Sequence, residues 1–326
     1  MNINNKFTFI AELCQNHNGK FKNIEKMLSD CAYNGAKVVK LQNIFAKDLA
    51  FRPEFENGLT VNRKILCIKR PYKSEFDRLK KLEINYQNLK KFVKLCEKNK
   101  VEPAITCFTK NSVNILKDLG FKTIKVASYD CASFPLIRLL SKKFKNIIVS
   151  TGATYDDEIV KTANILKKNK NNFSFLHCVT IYPTPYNNLN LARINYLKKF
   201  TNNVGYSDHS LGINNSKNLA SLYAIYFGAK SIERHMTILD KDKTKDGKVS
   251  IEPRDIQELI KFSKLSKNNQ KKYLKENYPI KMKIIIGKKN RNLSHEEVLN
   301  RSYYRGRFVS HDKSNPSRLI YNWEES

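Results

Sequence analysis

A repeating pattern limits the possible folds most strongly: a short apolar run, then polar residues, then apolar residues with helical spacing. The spacing predicts helices at residues 22–34, 85–98, 111–119 and 156–168. Parallel strands that alternate with helices indicate an α/β protein, and eight of them favour a closed (β/α)8 barrel over an open sheet. The eight predicted strands are residues 7–13, 38–42, 103–106, 123–127, 147–151, 174–177, 204–207 and 230–234.

Two histidines, His209 and His235, each follow one of the last two apolar runs. They are about one strand–helix–strand step apart, so we expect them at the same ends of neighbouring parallel strands. Each stands next to a carboxylate, Asp208 or Glu233. Two imidazoles that converge in this way indicate a divalent metal site. The alternative is a pair of structural histidines that only make hydrogen bonds.

Two lysines, Lys40 and Lys125, stand inside apolar runs. In a barrel such a lysine faces the interior, and a buried ammonium group is costly without an anion. A phosphate or carboxylate ligand is therefore the expected partner. The alternative is an internal ion pair with Glu12 or Glu233.

The composition bounds the class of protein. A net charge of +30 permits nucleic-acid binding, but the lysines are spread along the chain without an aromatic–basic motif, so we interpret them as solvated. The seven cysteines contain no CxxC motif, which indicates a reducing compartment. No signal-peptide pattern and no membrane-length apolar run are present, and the sequence therefore predicts a cytoplasmic protein without membrane or nucleic-acid partners.

The domain prediction is a catalytic barrel over residues 1–267 and a C-terminal extension over residues 268–326 without a core of its own. The barrel pattern is interrupted once, by a long insertion at residues 43–84 that follows the second strand. Long loops in compact domains are often functional, and we interpret this one as a lid over the barrel mouth.

Several motifs, taken together in their order and spacing, resemble the sialic acid synthase family over roughly residues 7–262. The motifs that carry the resemblance are Ala11-Glu12 with Asn16-His17-Asn18-Gly19, Lys40-Leu41-Gln42, Thr106-Cys107-Phe108, Ile124-Lys125-Val126-Ala127-Ser128, Ser150-Thr151-Gly152, Tyr182-Pro183-Thr184-Pro185-Tyr186, Gly205-Tyr206-Ser207-Asp208-His209 and Glu233-Arg234-His235.

The resemblance implies a (β/α)8 barrel that condenses phosphoenolpyruvate with an N-acetylated hexosamine of the N-acetylmannosamine type. The products are a nine-carbon 2-keto sugar acid and phosphate. It implies a divalent metal on His209 and His235, Mn²⁺ first and Mg²⁺ or Co²⁺ next, and a homodimer. Glu12, His209 and His235 would be catalytic. Phosphoenolpyruvate would contact Lys40, Thr106, Lys125, Ser128, Ser150 and Ser207. The sugar would contact Glu12, Gln42, Thr180, Tyr182 and Asp246.

The chain also departs from the family pattern. Family members usually carry an antifreeze-like domain after the barrel, and this sequence ends about where that domain begins, so Arg301, Arg305 or Arg307 is expected to replace its arginine. Thr180 stands where N-acetylneuraminate synthases tend to have asparagine. The acceptor could therefore be a diacetamido-hexose, as in legionaminic or pseudaminic acid synthesis. A catalytically impaired barrel that acts as a binding partner is the remaining alternative.

Overall fold

The computed structural model describes residues 7–212, 216–312 and 314–325. Its strands are β1 Thr8–Glu12, β2 Val38–Asn43, β3 Leu59–Val61, β4 Lys64–Cys67, β5 Glu102–Cys107, β6 Thr123–Val126, β7 Asn146–Ser150, β8 Asn172–Cys178, β9 Val204–Asp208, β10 Ser231–His235, β11 Ser310–His311 and β12 Leu319–Ile320. Eight of these strands pair in parallel and close a barrel in the order β1-β10-β9-β8-β7-β6-β5-β2. The predicted α/β barrel is confirmed.

Helices cover the outside of the barrel, and local signals fix where they begin and end. The side chain of Asn85 accepts a hydrogen bond from the Asn88 amide at 2.8 Å and caps a helix start. Gly35 has a φ of +101°, a left-handed conformation that favours glycine and ends a helix. The helices are α1 Phe21–Tyr33, α2 Glu54–Asn57, α3 Tyr72–Lys80, α4 Tyr86–Lys98, α5 Ser112–Asp118, α6 Phe134–Lys143, α7 Asp156–Lys168, α8 Arg193–Leu197, α9 Leu219–Tyr226, α10 Ile256–Ser263, α11 Lys267–Asn277, α12 Met282–Ile286 and α13 His295–Tyr304.

The barrel interior changes from apolar to polar along the strands. Side chains alternate between the two faces of a strand, so every second residue points inward. The lower interior layer is a small apolar cluster of Ile10, Val38, Ala104, Ile148 and Leu176. Two residues further along the same strands, the inward positions are Glu12, Lys40, Thr106, Ser150 and Cys178. The polar layer thus lies at the carboxyl ends of the strands, and the apolar cluster fills the barrel interior directly below it.

The insertion that follows β2 is built from α2, the hairpin of β3 and β4, and α3. It is joined to the C-terminal part of the chain. The Arg52 guanidinium donates to the carbonyls of Ser302 and Arg305 at 3.1 and 3.2 Å. His295 Nε2 donates to the Ile65 carbonyl at 2.8 Å. The insertion and helix α13 therefore form one continuous covering beside the barrel mouth.

The segment after residue 267 packs against the barrel. Leu274 and Ile285 are buried in the main apolar core. Further on, the Asn322 amide donates to the Phe108 carbonyl at 2.8 Å and to Asp130 Oδ1 at 3.0 Å. Burial raises the pKa of Asp130 to about 6. Within the described ranges, we find no helix with the length and apolar character needed to cross a membrane.

Candidate active site

The two lysines predicted to face the interior do so, and both are buried. Lys125 Nζ donates to both carboxylate oxygens of Glu233 at 2.9 Å. Lys40 forms an ion pair with Glu12, lies 3.8 Å from Glu233, and donates to Thr106 Oγ1 at 3.1 Å. We call Glu12, Lys40, Lys125 and Glu233 the lysine cluster. Internal pairing, the alternative left open by the sequence, is what the structure shows.

When both lysines are protonated and both glutamates are ionised, the formal charges in the lysine cluster cancel. Close packing of these groups shifts the pKa values of Glu233 and Lys40. Burial opposes ionisation of Glu233, but the ammonium groups of Lys125 and Lys40 hold its pKa well below the usual value. Burial lowers the pKa of Lys40 to about 7, against the attraction of Glu233. Because this pKa is close to physiological pH, Lys40 is protonated in about half of the molecules there, and an additional anion beside it would favour its charged form.

Hydroxyl groups surround this cluster. Ser207 donates to Glu233 Oε1 at 2.8 Å, which joins it to the lysines. Ser128 Oγ accepts from the Gly152 amide at 3.2 Å, and Ser150 is buried at the end of β7. A β-carbon on Gly152 would lie 3.0 Å from Ser128 Oγ and 2.7 Å from Thr180 Cγ2, so the loop can approach this closely only with glycine. Four of the six predicted phosphoenolpyruvate residues thus share one network, and Ser128 and Ser150 lie at the ends of the adjacent strands.

The rings of His209 and His235 lie at the mouth with their centroids 5.3 Å apart and their planes at 81°. His209 Nδ1 is 3.2 Å from the Val179 carbonyl, and its Nε2 is 3.3 Å from the Tyr182 hydroxyl. Burial and, to a smaller extent, the proximity of His235 lower the pKa of His209 to about 3. Burial also lowers the pKa of His235. Both imidazoles are therefore neutral at pH 7, the form that binds metal ions.

Cys14 and Asp246 lie beside His235. The Cys14 thiol donates to Asp246 Oδ2 at 2.8 Å, and His235 Nδ1 is 3.9 Å from the same oxygen. One ligand atom from each of the three residues lies within 4.8 Å of the others. His235 Nδ1 is buried without a hydrogen-bond partner among the described residues. This donor set suits a divalent cation. We call Cys14, His209, His235 and Asp246 the histidine cluster.

Asp208 and Glu233, whose proximity in sequence supported the metal prediction, do not join the histidine cluster. Asp208 points to the outside of the barrel, where it forms an ion pair with Arg234 and accepts from Ser221 Oγ at 2.5 Å. Glu233 points inward but is held by the lysines. The physical reason is the alternation of side chains along a strand, which separates His209 from Asp208. Sequence reasoning missed Cys14 as a candidate ligand, although a cysteine two residues after strand β1 was a usable signal.

The residues predicted to contact the sugar are distributed around this mouth. Glu12 belongs to the lysine cluster, and its Oε1 accepts from the Cys14 amide at 2.7 Å. Tyr182 is 46% exposed and its ring centroid is 4.2 Å from that of His209. Thr180 is buried, and its carbonyl accepts from Asn300 Nδ2 at 2.7 Å. Gln42 is half-buried at the end of β2, opposite Thr106 in the sheet register, and Asp246 lies beside His235 as described.

The three arginines expected to replace the arginine of the antifreeze-like domain are occupied elsewhere. Arg301 donates to the Ala153 carbonyl and Glu158 Oε1, both at 2.5 Å. Arg305 lies 4.0 Å from Glu158, and Arg307 is ion-paired with Glu75. A different arginine reaches the mouth.

Arg78, on helix α3 of the insertion, donates to Gln15 Oε1 at 2.5 Å. Glu75 holds its guanidinium at 2.8 Å through two hydrogen bonds. Sequence reasoning missed Arg78 because no periodicity fixes the path of the insertion.

Comparison with known proteins agrees with this geometry. The family model described as "NeuB family" matches residues 27–273. The chain belongs to the NeuB family. It is 34% identical over 263 residues to the N,N'-diacetyllegionaminic acid synthase of Campylobacter jejuni, covering 78% of this chain and 74% of that relative. It is 29% identical over 265 residues to human N-acetylneuraminate-9-phosphate synthase, covering 78% and 69%.

Solved structures share the architecture of this NeuB-family barrel. The N-acetylneuraminic acid synthetase of Leptospira borgpetersenii, in complex with citrate, matches with a TM-score of 0.68 at 25% identity, covering 92% of each chain. A spore coat polysaccharide biosynthesis protein from Bacillus subtilis matches with a TM-score of 0.71 at 21% identity, covering 98% of this chain and 88% of that one. The second likeness concerns the fold alone. The resemblance found in the sequence is confirmed.

Proposed function

We propose that this chain condenses phosphoenolpyruvate with an N-acetylated hexosamine of the N-acetylmannosamine type, which yields a nine-carbon 2-keto sugar acid and phosphate. The observation that carries the proposal is the convergence of two buried lysines and two neutral histidines at one mouth of a NeuB-family barrel. The names of the relatives, which are synthases of legionaminic, pseudaminic and N-acetylneuraminic acid types, support the same reaction class.

Phosphoenolpyruvate is assigned to the lysine side of the mouth. Lys40 and Lys125 supply positive charge to its phosphate and carboxylate, and Thr106, Ser128, Ser150 and Ser207 supply hydroxyl groups. Since Glu233 and Glu12 already neutralise the lysines, an entering anion competes with these carboxylates for the same ammonium hydrogens. Fixed donors in a water-poor pocket hold the reacting enol in one orientation.

The acceptor sugar is assigned to the histidine side, against Gln42, Thr180, Tyr182 and Asp246. In the reaction, C3 of phosphoenolpyruvate forms a bond to the aldehyde carbon of the open-chain sugar, and the aldehyde oxygen takes a proton to become a hydroxyl. Water then adds at C2, positioned by Glu12. The bond between C2 and the phosphate oxygen breaks, phosphate leaves, and the new C2 hydroxyl loses its proton to give the ketone.

The cofactor that we assign to this site is a divalent cation held by His209 and His235, with Mn²⁺ as the ion implied by the family resemblance. When bound, such an ion polarises a carbonyl oxygen as a Lewis acid. The neutral imidazoles and the unpaired His235 Nδ1 support this assignment.

For the whole molecule, we propose a cytoplasmic homodimer. Residues 1–267 would form the catalytic barrel, with residues 268–326 as its appendage. The free state of the cysteines among the described residues is compatible with a reducing compartment.

A diacetamido-hexose is the second candidate acceptor, and a specific observation favours it. The N,N'-diacetyllegionaminic acid synthase of Campylobacter jejuni is 34% identical to this chain, and the pseudaminic acid synthase of the same organism is 30% identical. Thr180, a short side chain on the sugar side of the mouth, leaves more room than asparagine would. Both candidates require the same reaction at the lysine and histidine clusters and differ only in the sugar.

An acceptor screen tests this proposal. Phosphate release is measured with phosphoenolpyruvate, added Mn²⁺ and each of three sugars: N-acetylmannosamine and the diacetamido-hexose precursors of legionaminic and pseudaminic acid. We expect release with one of them and its loss with EDTA. Well-folded protein that phosphoenolpyruvate stabilises against heat without any release would instead indicate a binding barrel. Release with the same rate after EDTA treatment would refute the metal assignment.

A further inference from the structure

A thiol and a carboxylate complete a set of donor atoms around His235. Cys14 Sγ is 2.8 Å from Asp246 Oδ2, and His235 Nδ1 is 3.9 Å from the same oxygen. A tetrahedral ion with ligands at about 2.0–2.3 Å places neighbouring ligand atoms about 3.3–3.8 Å apart. The two measured separations lie on either side of that range, so small side-chain movements would complete the site.

His235 supplies an independent indication of a ligand at this point. Its ring is buried, with 7% of the residue exposed, and its Nδ1 makes no hydrogen bond among the described residues. A buried polar atom without a partner is destabilising, and such atoms are rare in native proteins. A cation bound between the ring and Asp246 would satisfy this nitrogen.

The charges also match a divalent ion. A Cys14 thiolate and the Asp246 carboxylate carry two negative charges, and His235 binds as the neutral imidazole. In the structure the thiol hydrogen lies between Cys14 Sγ and Asp246 Oδ2. A metal ion that enters here replaces this hydrogen and releases a proton, as is usual when cysteine becomes a ligand.

The backbone holds the Cys14 thiol in place. Cys14 has a φ of +47°, in the left-handed region that favours glycine. Its amide donates to Glu12 Oε1 at 2.7 Å, which fixes the turn that follows β1. The side chain is therefore directed toward His235 and Asp246 by a conformation that cysteine does not prefer.

We propose that Cys14 is a thiolate ligand of the metal assigned to His209 and His235, that Asp246 is a further ligand on the His235 side, and that the site prefers Zn²⁺, Co²⁺ or Fe²⁺ over Mn²⁺ and Mg²⁺. Thiolate ligands select the softer divalent ions, whereas carboxylates and waters suit manganese and magnesium. The proposal rests on the metal dependence assigned under the proposed function. It leaves one oxygen of Asp246 for a sugar hydroxyl, because a carboxylate has two.

Cobalt spectroscopy tests the proposal without relying on turnover. The metal-free full-length chain is titrated with Co²⁺, and its absorption is recorded in the visible and near-ultraviolet regions. We expect visible cobalt bands together with a near-ultraviolet sulfur-to-cobalt charge-transfer band. Cys14→Ser should lose the charge-transfer band and should bind Zn²⁺ at least about tenfold more weakly, with little change for Mn²⁺.

Two further variants make the result decisive. Cys14→Gly removes the same sulfur while giving the backbone its favoured residue, so loss of the band in well-folded Cys14→Gly protein cannot be a folding defect. Cys178→Ser is the matched control, because Cys178 Sγ is 3.6 Å from His209 Nδ1 in the same barrel. The band should persist in Cys178→Ser.

The outcomes separate this inference from the proposed function. Visible cobalt bands without a charge-transfer band, in protein that releases phosphate, would overturn the Cys14 ligand and leave the synthase function intact. A band that disappears in Cys178→Ser and persists in Cys14→Ser would also overturn it. Phosphate release that is absent with every sugar, in protein that shows the Cys14-dependent band, would overturn the function alone.

Discussion

The lysine cluster and the histidine cluster lie at the same mouth of the barrel, and all their members except the half-buried Asp246 are buried, but their polar atoms are satisfied differently. In the lysine cluster each ammonium group meets a carboxylate, with Lys125 bonded to Glu233 at 2.9 Å and Lys40 paired with Glu12. In the histidine cluster His235 Nδ1 has no hydrogen-bond partner within the described part of the chain. One cluster is complete within the chain, and we propose that an external cation completes the other.

This difference in hydrogen bonding distinguishes a site that is fully ordered before its ligand binds from a site that is completed by its ligand. A fully satisfied network contributes to folding and is ordered before any ligand arrives. An incomplete donor set adds little to folding, and its atoms become satisfied only when an ion binds. We therefore expect substitutions in the lysine cluster to change both stability and substrate binding, and substitutions in the histidine cluster to change metal-dependent chemistry with much less effect on stability.

The largest expected effect follows from Lys125→Met. The variant leaves the Glu233 carboxylate buried with only Lys40, at 3.8 Å, as a neighbouring cation. Removal of one partner of a buried ion pair costs about 3–5 kcal/mol, so the free energy of unfolding in urea should fall by that amount. Phosphoenolpyruvate should no longer raise the melting temperature.

A double variant controls for this effect. Lys125→Met with Glu233→Gln no longer buries an unpaired charge, so most of the lost stability should return while the response to phosphoenolpyruvate stays absent. If Lys125→Met alone unfolded with the wild-type free energy, the ion pair between Lys125 and Glu233 would not contribute to stability, and the lysine cluster would not be complete within the chain.

A second prediction concerns His235→Asn. Its Nδ1 makes no hydrogen bond in the described structure, so the metal-free variant should lose less than about 1 kcal/mol of unfolding free energy. The rate of phosphate release should nevertheless fall by at least about 100-fold. Mutation of a residue that only hydrogen-bonds to a metal ligand can already lower activity by up to about this factor. EDTA should produce the same loss in the wild type and no further loss in the variant. A large loss of unfolding free energy in the metal-free His235→Asn variant would show that the histidine cluster contributes to folding as the lysine cluster does.

The smallest effect is the pH dependence of the metal-free protein. The pKa of His209 is about 3 in the fold, below the ordinary histidine value, so the fold favours the neutral ring. The stability associated with this preference is present above about pH 6.5 and is lost as the pH falls toward 3, reaching at most about 2 kcal/mol at pH 5. The low pKa of Glu233 acts only below its ordinary carboxyl range, so this carboxylate adds no pH dependence between pH 7 and 5. Other buried histidines with lowered pKa values, such as His177 at about 3, keep part of this slope. His209→Asn should therefore reduce the fall in the free energy of unfolding between pH 7 and 5 by up to about 2 kcal/mol relative to the wild type, and an unchanged slope would contradict the assignment.

Much of this architecture could be predicted from the sequence. Alternation of apolar runs and helical patterns identified the barrel, and the inward direction of Lys40 and Lys125 followed from their place in apolar strands. The partners of these lysines could not be chosen, because an external anion and an internal carboxylate satisfy an ammonium group equally well in sequence terms. Spatial partners that depend on turn geometry, such as Cys14 beside Asp246, are separated by most of the chain and follow no periodicity.

Neighbours in sequence were also a poor guide to neighbours in space. Asp208 adjoins His209 along the chain but lies on the other face of β9 with Arg234. Arg78 reaches the mouth from a helix of the insertion, whereas the three arginines of the extension bind or approach carboxylates outside the two clusters.

The left-handed backbone at Cys14 affects which substitutions this position accepts during evolution. Cysteine codons differ from glycine codons by a single base, and glycine is the residue that this φ of +47° favours. The substitution would relieve about 1–2 kcal/mol of backbone strain, so selection for a stable fold alone would readily accept it. Selection on the sulfur is the force that we expect to oppose that step. In lineages that no longer need the sugar acid, we expect glycine at position 14 to be among the earliest changes.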